Sequence, residues 1–290
     1  MESPSRIRII CQAGKDGDPG WYRIHRRISI YLTWLSLHTR VTPNHISLLM
    51  IVVGGTGAAL LSFVQLWVNL LGFCLLYMAF LLDKVDGEIA RYRRMESVRG
   101  ILLDRVHHRL VEPSIFLAAA CREYQMTSSV GVLVAGLVTM LLANSIEEHQ
   151  NLSPRIFVKY LKQVGAPPKV RIRAPSPILT RAITLLKPLK GLRMFIVVLP
   201  LLALVYGVEW MTDRPVTKYY LYTSLAALFV YLAFQVYYYF VFKLDEEIAS
   251  IAKYFPGSEV GAHGPGEGET IRALPAEGIA ARRSSHLARR

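Results

Sequence analysis

Between Asp83 and Arg109 the chain places Asp83, Asp86, Glu88, Arg91, Asp104, Arg105, His107, His108 and Arg109 in or beside stretches apolar enough to cross a membrane. An ionisable side chain in such a stretch is costly, and its default meaning is functional. The spacing gives these residues shared geometry. Asp83, Asp86 and Gly87 are three and four positions apart and so lie on one face of a helix. Asp104 and His108 are four apart and share a face of the next helix. A short connection through 96–98 makes the two helices antiparallel neighbours. Three carboxylates and an imidazole can then face each other near one end of the pair.

Three clustered carboxylates repel one another and cannot all stay ionised unaided in a low-dielectric site. A divalent cation resolves the conflict, and oxygen ligands favour Mg²⁺ or Mn²⁺. A magnesium site built from a few carboxylates keeps room for substrate phosphate. The residues therefore point to metal-assisted phosphoryl chemistry at a membrane surface. Spacing leaves two other readings open: a structural network with Arg91, Arg94 or Arg105, and an ion-transport relay. Gly87, Ala90 and Gly100 supply small residues where helices approach closely. They would also let a bulky ligand reach the backbone.

The elements that carry these residues are written in the composition. Of 290 residues, 52% are hydrophobic and 19% charged, with a mean hydropathy of +0.31. The apolar residues fall in long blocks, the pattern of an all-α integral membrane protein. Taking about 20 apolar residues per crossing, about six spans are expected, at 45–65, 67–92, 98–121, 128–148, 191–211 and 217–243. Residues 21–40, rich in aromatic and aliphatic residues with Arg23, Arg26, Arg27 and Arg40, suit an amphipathic helix in the interface. Thr42 or Asn44 can cap the helix after it. The 1–20 segment reads as a flexible lead with no apolar signal region, and 244–290 as a Gly/Pro-rich disordered tail. The membrane domain is then 21–243.

The net charge is +13. Its Lys and Arg sit between hydrophobic blocks, in the N-terminal segment, near 91–99 and through 155–190, all on one side of the proposed topology. That is positive-inside patterning, not a nucleic-acid footprint. It puts both termini and the charged cluster in the cytoplasm, with the protein in the cell inner membrane. Cys11, Cys74 and Cys121 are too scattered for a disulfide framework or a zinc site.

Asp83-x-x-Asp86-Gly87-x-x-Ala90-Arg91, eight residues, then Gly100-x-x-x-Asp104-x-x-x-His108 resembles the signature of the CDP-alcohol phosphotransferases. That signature is D-x-x-D-G-x-x-A-R-x8-G-x-x-x-D-x-x-x-D. The Thr42-Pro43-Asn44 stretch is also similar to family members. The resemblance implies that a CDP-linked donor, commonly CDP-diacylglycerol, passes its phosphoryl-alcohol group to the hydroxyl of a polar alcohol and releases CMP. It implies metal on Asp83, Asp86 and Asp104, charge compensation by Arg91, and room for the cytidine at Gly87 and Ala90, with Gly100 and Asn44 beside them. It also implies a homodimer as one assembly state, although no sequence feature marks a dimer face.

The last signature position holds His108 where the family has Asp. Three readings follow, in this order: His108 is the base for the acceptor hydroxyl; His108 is a nitrogen ligand to the metal and another group is the base; or turnover has been lost. Lys169, Arg171, Arg173 and Arg181 in the long basic link are candidates to hold a phosphate on the acceptor, which favours a phosphorylated polyol. Attraction of that link to anionic headgroups is the competing account. A soluble CDP-alcohol donor with a lipid acceptor, and a silent member that binds nucleotide or lipid, stay open. A transporter fits less well, because the last two expected spans have no matching acidic set.

Overall fold

The computed structural model describes residues 2–13, 20–149, 152–165 and 175–252, and every regular element in them is helical. In chain order the helices are α1 (Pro4–Cys11), α2 (Gly20–Leu37), α3 (Pro43–Leu60), α4 (Leu66–Arg93), α5 (Val98–Thr127) and α6 (Val130–His149). There follow α7 (Leu152–Val164), α8 (Pro177–Gly191), α9 (Phe195–Thr212), α10 (Thr217–Tyr238), a π-helical turn (Tyr239–Lys243) and α11 (Leu244–Ala252). Among the described residues five helical stretches are long and apolar enough to cross a membrane: α3, α4, α6, α9, and α10 with its continuation to Ala252. The span expected at 98–121 lies in α5, whose 30 residues reach about 45 Å at roughly 1.5 Å per residue. Length suffices there. The charges from Asp104 to Glu112 keep α5 out of the apolar set.

Other stretches hold more helix than the sequence patterns indicate. The lead carries α1, the 149–190 link carries α7 and α8, the span expected from 191 starts at Phe195, and α11 occupies the first residues of the expected tail. Residues 253–290 lie outside the described part.

Residue contacts divide the chain into two units, Met1–Asn144 with Pro188–Phe229, and Ser145–Lys187 with Val230–Arg290. In the first unit α3, α4 and α5 pack at close range because small residues face each other. A Cβ on Gly57 would lie 2.9 Å from the Gly72 carbonyl oxygen, so only glycine permits that crossing of α3 over α4. A Cβ on Gly54 would lie 2.7 Å from Val111 and 3.2 Å from the His107 ring, which locks α5 against α3.

The amino-terminal helices dock on the charged end of α4. Ile7 and Cys11 of α1, with Ile30 and Leu37 of α2, join Ile46, Met50, Leu82, Val85 and Ile89 in one apolar cluster. Burial of Ile7 alone is worth about 1.5–3 kcal/mol. Glu88, fully buried, accepts from Gln12 Nε2 (2.8 Å), Ser29 Oγ (2.8 Å) and Thr33 Oγ1. These three donors share its charge, which makes burial of an unpaired carboxylate tolerable. The Cys11 thiol beside it is pushed up to about 11 by burial, with the Glu88 charge adding to the effect. Because α2 turns Ser29 and Thr33 inward, its apolar Ile24, Ile28, Tyr31 and Leu35 form an exposed stripe, as in a helix that lies against lipid.

The second unit has its own small core. Phe157 of α7 packs on Ile248 and Ala252 of α11, and the Ser153 hydroxyl bonds both the Tyr239 hydroxyl and Glu247.

Candidate metal and phosphate site

Three helix ends converge on one cavity. Thr42 caps α3, its hydroxyl accepting from His45 N (3.4 Å) while His45 Nδ1 accepts from Thr42 N (3.4 Å). This reciprocal cap satisfies two otherwise orphaned amides. α4 ends because Arg94 takes the left-handed conformation (φ 54°) and Met95 N returns to the Ala90 carbonyl (2.9 Å). Three residues later Ser97 caps α5. Its hydroxyl oxygen accepts from Gly100 N (3.0 Å) and its proton goes to Asn44 Oδ1 (3.2 Å). A Cβ on Gly100 would lie 3.3 Å from that same Asn44 oxygen, so the glycine lets α3 and α5 meet here. The cavity between these ends is about 290 Å³ and is lined by Asn44, Asp83, Asp86, Gly87, Ala90, Gly100 and Asp104, with Ser47 among the remaining wall residues.

The charged groups gather at its wall. His108 Nε2 lies 3.6 Å from Asp83 Oδ1 and 3.4 Å from Asp104 Oδ1. One donor atom each from Asp83, Asp104 and His108 falls within 4.8 Å of the others, a spread that one small divalent cation bridges with modest side-chain adjustment. Asp86 lies outside this compact group. Its Oδ2 accepts from Ser47 Oγ at 2.7 Å, and it reaches the site only as part of the cavity wall. The second oxygen of Asp83 pairs with Lys84 Nζ (3.2 Å), which also sits over the Phe80 ring (3.7 Å) and near the Tyr22 ring (5.0 Å). On its far side His108 Nδ1 is 2.7 Å from Glu112 Oε1. Three carboxylates thus surround one imidazole, with Asp86 standing apart in the cavity wall and Lys84 as the ammonium in contact with Asp83. The donor set and the excess negative charge both suit a bound divalent cation.

Arg91 folds back over Gly87, where a Cβ would lie 3.2 Å from its Nη1, and its Nε donates to the Cys11 carbonyl at 2.7 Å. The end of α1 therefore fixes the guanidinium beside Gly87 of the cavity wall. The structure brings Asp83, Asp104 and His108 together and sets Asp86, Gly87, Ala90, Gly100 and Asn44 around the cavity. Lys169, Arg171 and Arg173 lie outside the described residues, and Arg181 is an exposed residue of α8 in the second unit. Sequence reasoning missed Glu112, Lys84 and Ser47. Glu112 follows His108 by four positions, a helical spacing that was available to read. His107 is buried against Gly54 and takes no place in the wall.

A carboxylate-rich cavity at the helix ends of a membrane protein suits a divalent cation and a phosphate-linked substrate. The profile of the CDP-alcohol phosphatidyltransferase family matches residues 40–208, more than half of the 290 residues, and the chain belongs to that family. Its class is therefore a transferase of substituted phosphate groups, acting with a CDP-alcohol and an alcohol acceptor in phospholipid synthesis. The family is generally dependent on divalent metal, in keeping with the ligand group in this chain. A comparison with curated proteins gave no match.

Proposed function

We propose that this chain transfers a phosphatidyl group from CDP-diacylglycerol to the hydroxyl of a polar alcohol, releasing CMP, with Mg²⁺ or Mn²⁺ bound. The observation that carries the reading is the cavity whose wall joins small residues, at Gly87, Ala90 and Gly100, to the compact Asp83, Asp104 and His108 group. Asp83, Asp104 and His108 would hold the cation, with Asp86 beside them. When bound, such an ion offsets charge on the donor pyrophosphate and on the leaving CMP.

The protein's own groups do the rest. Gly87 and Ala90 leave space for the cytidine, and Arg91, held by the Cys11 carbonyl, presents positive charge to a phosphate. Ser47 holds Asp86 in one orientation. The acceptor attacks in line from the open side, and its proton passes to a base of the same cluster. The position of His108 Nε2 between two carboxylate oxygens favours the ligand role for this residue over the base role. The acceptor we favour is a phosphorylated polyol, its phosphate drawn by Lys169, Arg171, Arg173 and Arg181. Residues 21–243 form the working domain, with the cavity and both termini on the cytoplasmic side of the inner membrane.

The test is CMP release by the detergent-purified protein with CDP-diacylglycerol and Mg²⁺ or Mn²⁺, across polyols, polyol phosphates and amino alcohols. CMP with one acceptor establishes the reaction and names the product. No CMP with any acceptor, despite metal-dependent donor binding, indicates another donor–acceptor pair or a silent member.

A further inference from the structure

We propose that Glu112 is a positioning residue that makes His108 a nitrogen arm of the metal site and thereby tilts the site from Mg²⁺ toward Mn²⁺. The inference rests on the functional reading above and adds a residue to it. An ionised carboxylate only accepts, so the hydrogen in the 2.7 Å contact between Glu112 Oε1 and His108 Nδ1 sits on Nδ1. That fixes the tautomer. In the neutral ring that ligates a metal the lone pair is then on Nε2, and Nε2 is the atom turned toward Asp83 Oδ1 and Asp104 Oδ1. The ring is clamped from both sides: its far edge by Glu112 one helical turn on, its near edge by the carboxylates.

At this position the carboxylate of the signature is replaced by an imidazole, and Glu112 stands one helical turn behind it. Selectivity should change with the donor atom. Mg²⁺ is served best by oxygen, while imidazole nitrogen suits first-row transition ions, which bind such mixed sites more strongly. Of the two ions the carboxylates accept, Mn²⁺ gains from the exchange.

The experiment measures Mn²⁺ binding to the full-length, detergent-purified protein by electron paramagnetic resonance, with nitrogen coupling read by electron spin-echo modulation and Mg²⁺ as competitor. Wild type is expected to show imidazole nitrogen coupling and to prefer Mn²⁺. Glu112→Leu is expected to lose the coupling and weaken Mn²⁺ binding by about 10–100-fold, with little change in Mg²⁺ binding. Glu112→Gln, which can still accept from Nδ1, should keep the coupling and most of the affinity. His108→Asp should abolish the coupling, remove the Mn²⁺ preference and make Glu112→Leu silent in the double variant, a readout that survives if Glu112→Leu alone misfolds. Nitrogen coupling and affinity unchanged in folded Glu112→Leu would overturn the proposal. Mn²⁺ binding that Asp104→Asn abolishes, but that shows no nitrogen coupling in wild type, overturns it while leaving the metal site standing. Absence of any Asp104-dependent binding overturns both.

Discussion

α5 carries a cluster of ionisable residues at each end, and the two ends behave differently. Near its start, Asp104 and His108 gather with Asp83 beside an open cavity, with Glu112 behind His108. The side chains of Asp104, His108 and Asp83 are 43%, 33% and 21% exposed. Near its finish, Arg122 bonds Glu209 of α9, and the two side chains are 6% and 1% exposed. There the Arg122 guanidinium also lies 4.0 Å from the Tyr206 ring centroid, Glu209 accepts from Thr217 N at 2.6 Å, and the Tyr206 hydroxyl donates to the Leu61 carbonyl at 3.0 Å. The second cluster pairs Arg122 with Glu209, with Glu123 buried beside them, is closed to solvent, and ties α5, α9, α10 and the end of α3 together. The first keeps unspent negative charge and a way in. Burial of a charge in a membrane helix is therefore not itself a mark of chemistry. Access from an open cavity is what sets the first cluster apart.

The contrast can be broken by substitution. The largest effect is expected at the open end: Asp104→Asn or Asp83→Asn should cut CMP release by at least about 10³-fold, because several kcal/mol of charge stabilisation is removed. The thermal midpoint should barely move for Asp104→Asn, whereas Asp83→Asn also strips buried Lys84 of its carboxylate and should lower it. Unchanged turnover in both variants sinks the metal site.

At the sealed end the pattern should invert. Arg122→Met leaves Glu209 buried and uncompensated and should cost about 3–5 kcal/mol of stability, measured by thermal or denaturant unfolding in detergent. Activity per folded molecule should stay at the wild-type level, and the double replacement Arg122→Met with Glu209→Met should recover most of the loss. Loss of turnover with intact folding would tie the sealed cluster to the chemistry.

A smaller effect is expected midway between these extremes, at Glu88, which is buried like the far pair but next to the site. Glu88→Leu strands the donors Gln12, Ser29 and Thr33, at about 1–3 kcal/mol. Limited proteolysis should then cut ahead of α3 more readily than in wild type. Equal protection would show that apolar contacts alone hold α1 and α2. The smallest effect is expected from Gly100→Ala. The new methyl meets side-chain atoms of Asn44 and Ser97 at 3.3 and 3.4 Å, so stability should change by less than about 1 kcal/mol while CMP release falls a few-fold.

Much of the open end was legible because its residues announce themselves locally. Asp83, Asp86, Asp104 and His108 are polar interruptions at helical spacing inside apolar runs, and one short turn decides that their helices are neighbours. Glu112 and Lys84 were equally visible as letters, but their roles depend on rotamers and on which face of α5 meets α4. The sealed cluster was illegible for a different reason: Arg122 and Glu209 are 87 residues apart, and no periodicity links them. α1 was hidden by composition. Its eight residues hold one buried stripe, Ile7 and Cys11, four positions apart, too short a signal beside its arginines and polar ends. In the basic 149–190 link, charge read as topology concealed the helices α7 and α8.

The hold of α1 on Arg91 and Glu88 has a consequence for how the protein is made. Cys11 and Gln12, at the end of α1, leave the ribosome well before α4, and their partners Arg91 and Glu88 stand 80 and 76 positions later in the chain. During synthesis α1 has nothing to grip until α4 has been delivered into the bilayer. Contacts of such sequence separation form late, after the loop between them has been closed. The cavity thus acquires its Arg91 in the final conformation only after membrane insertion of α4, and a nascent chain halted before that point has no working site.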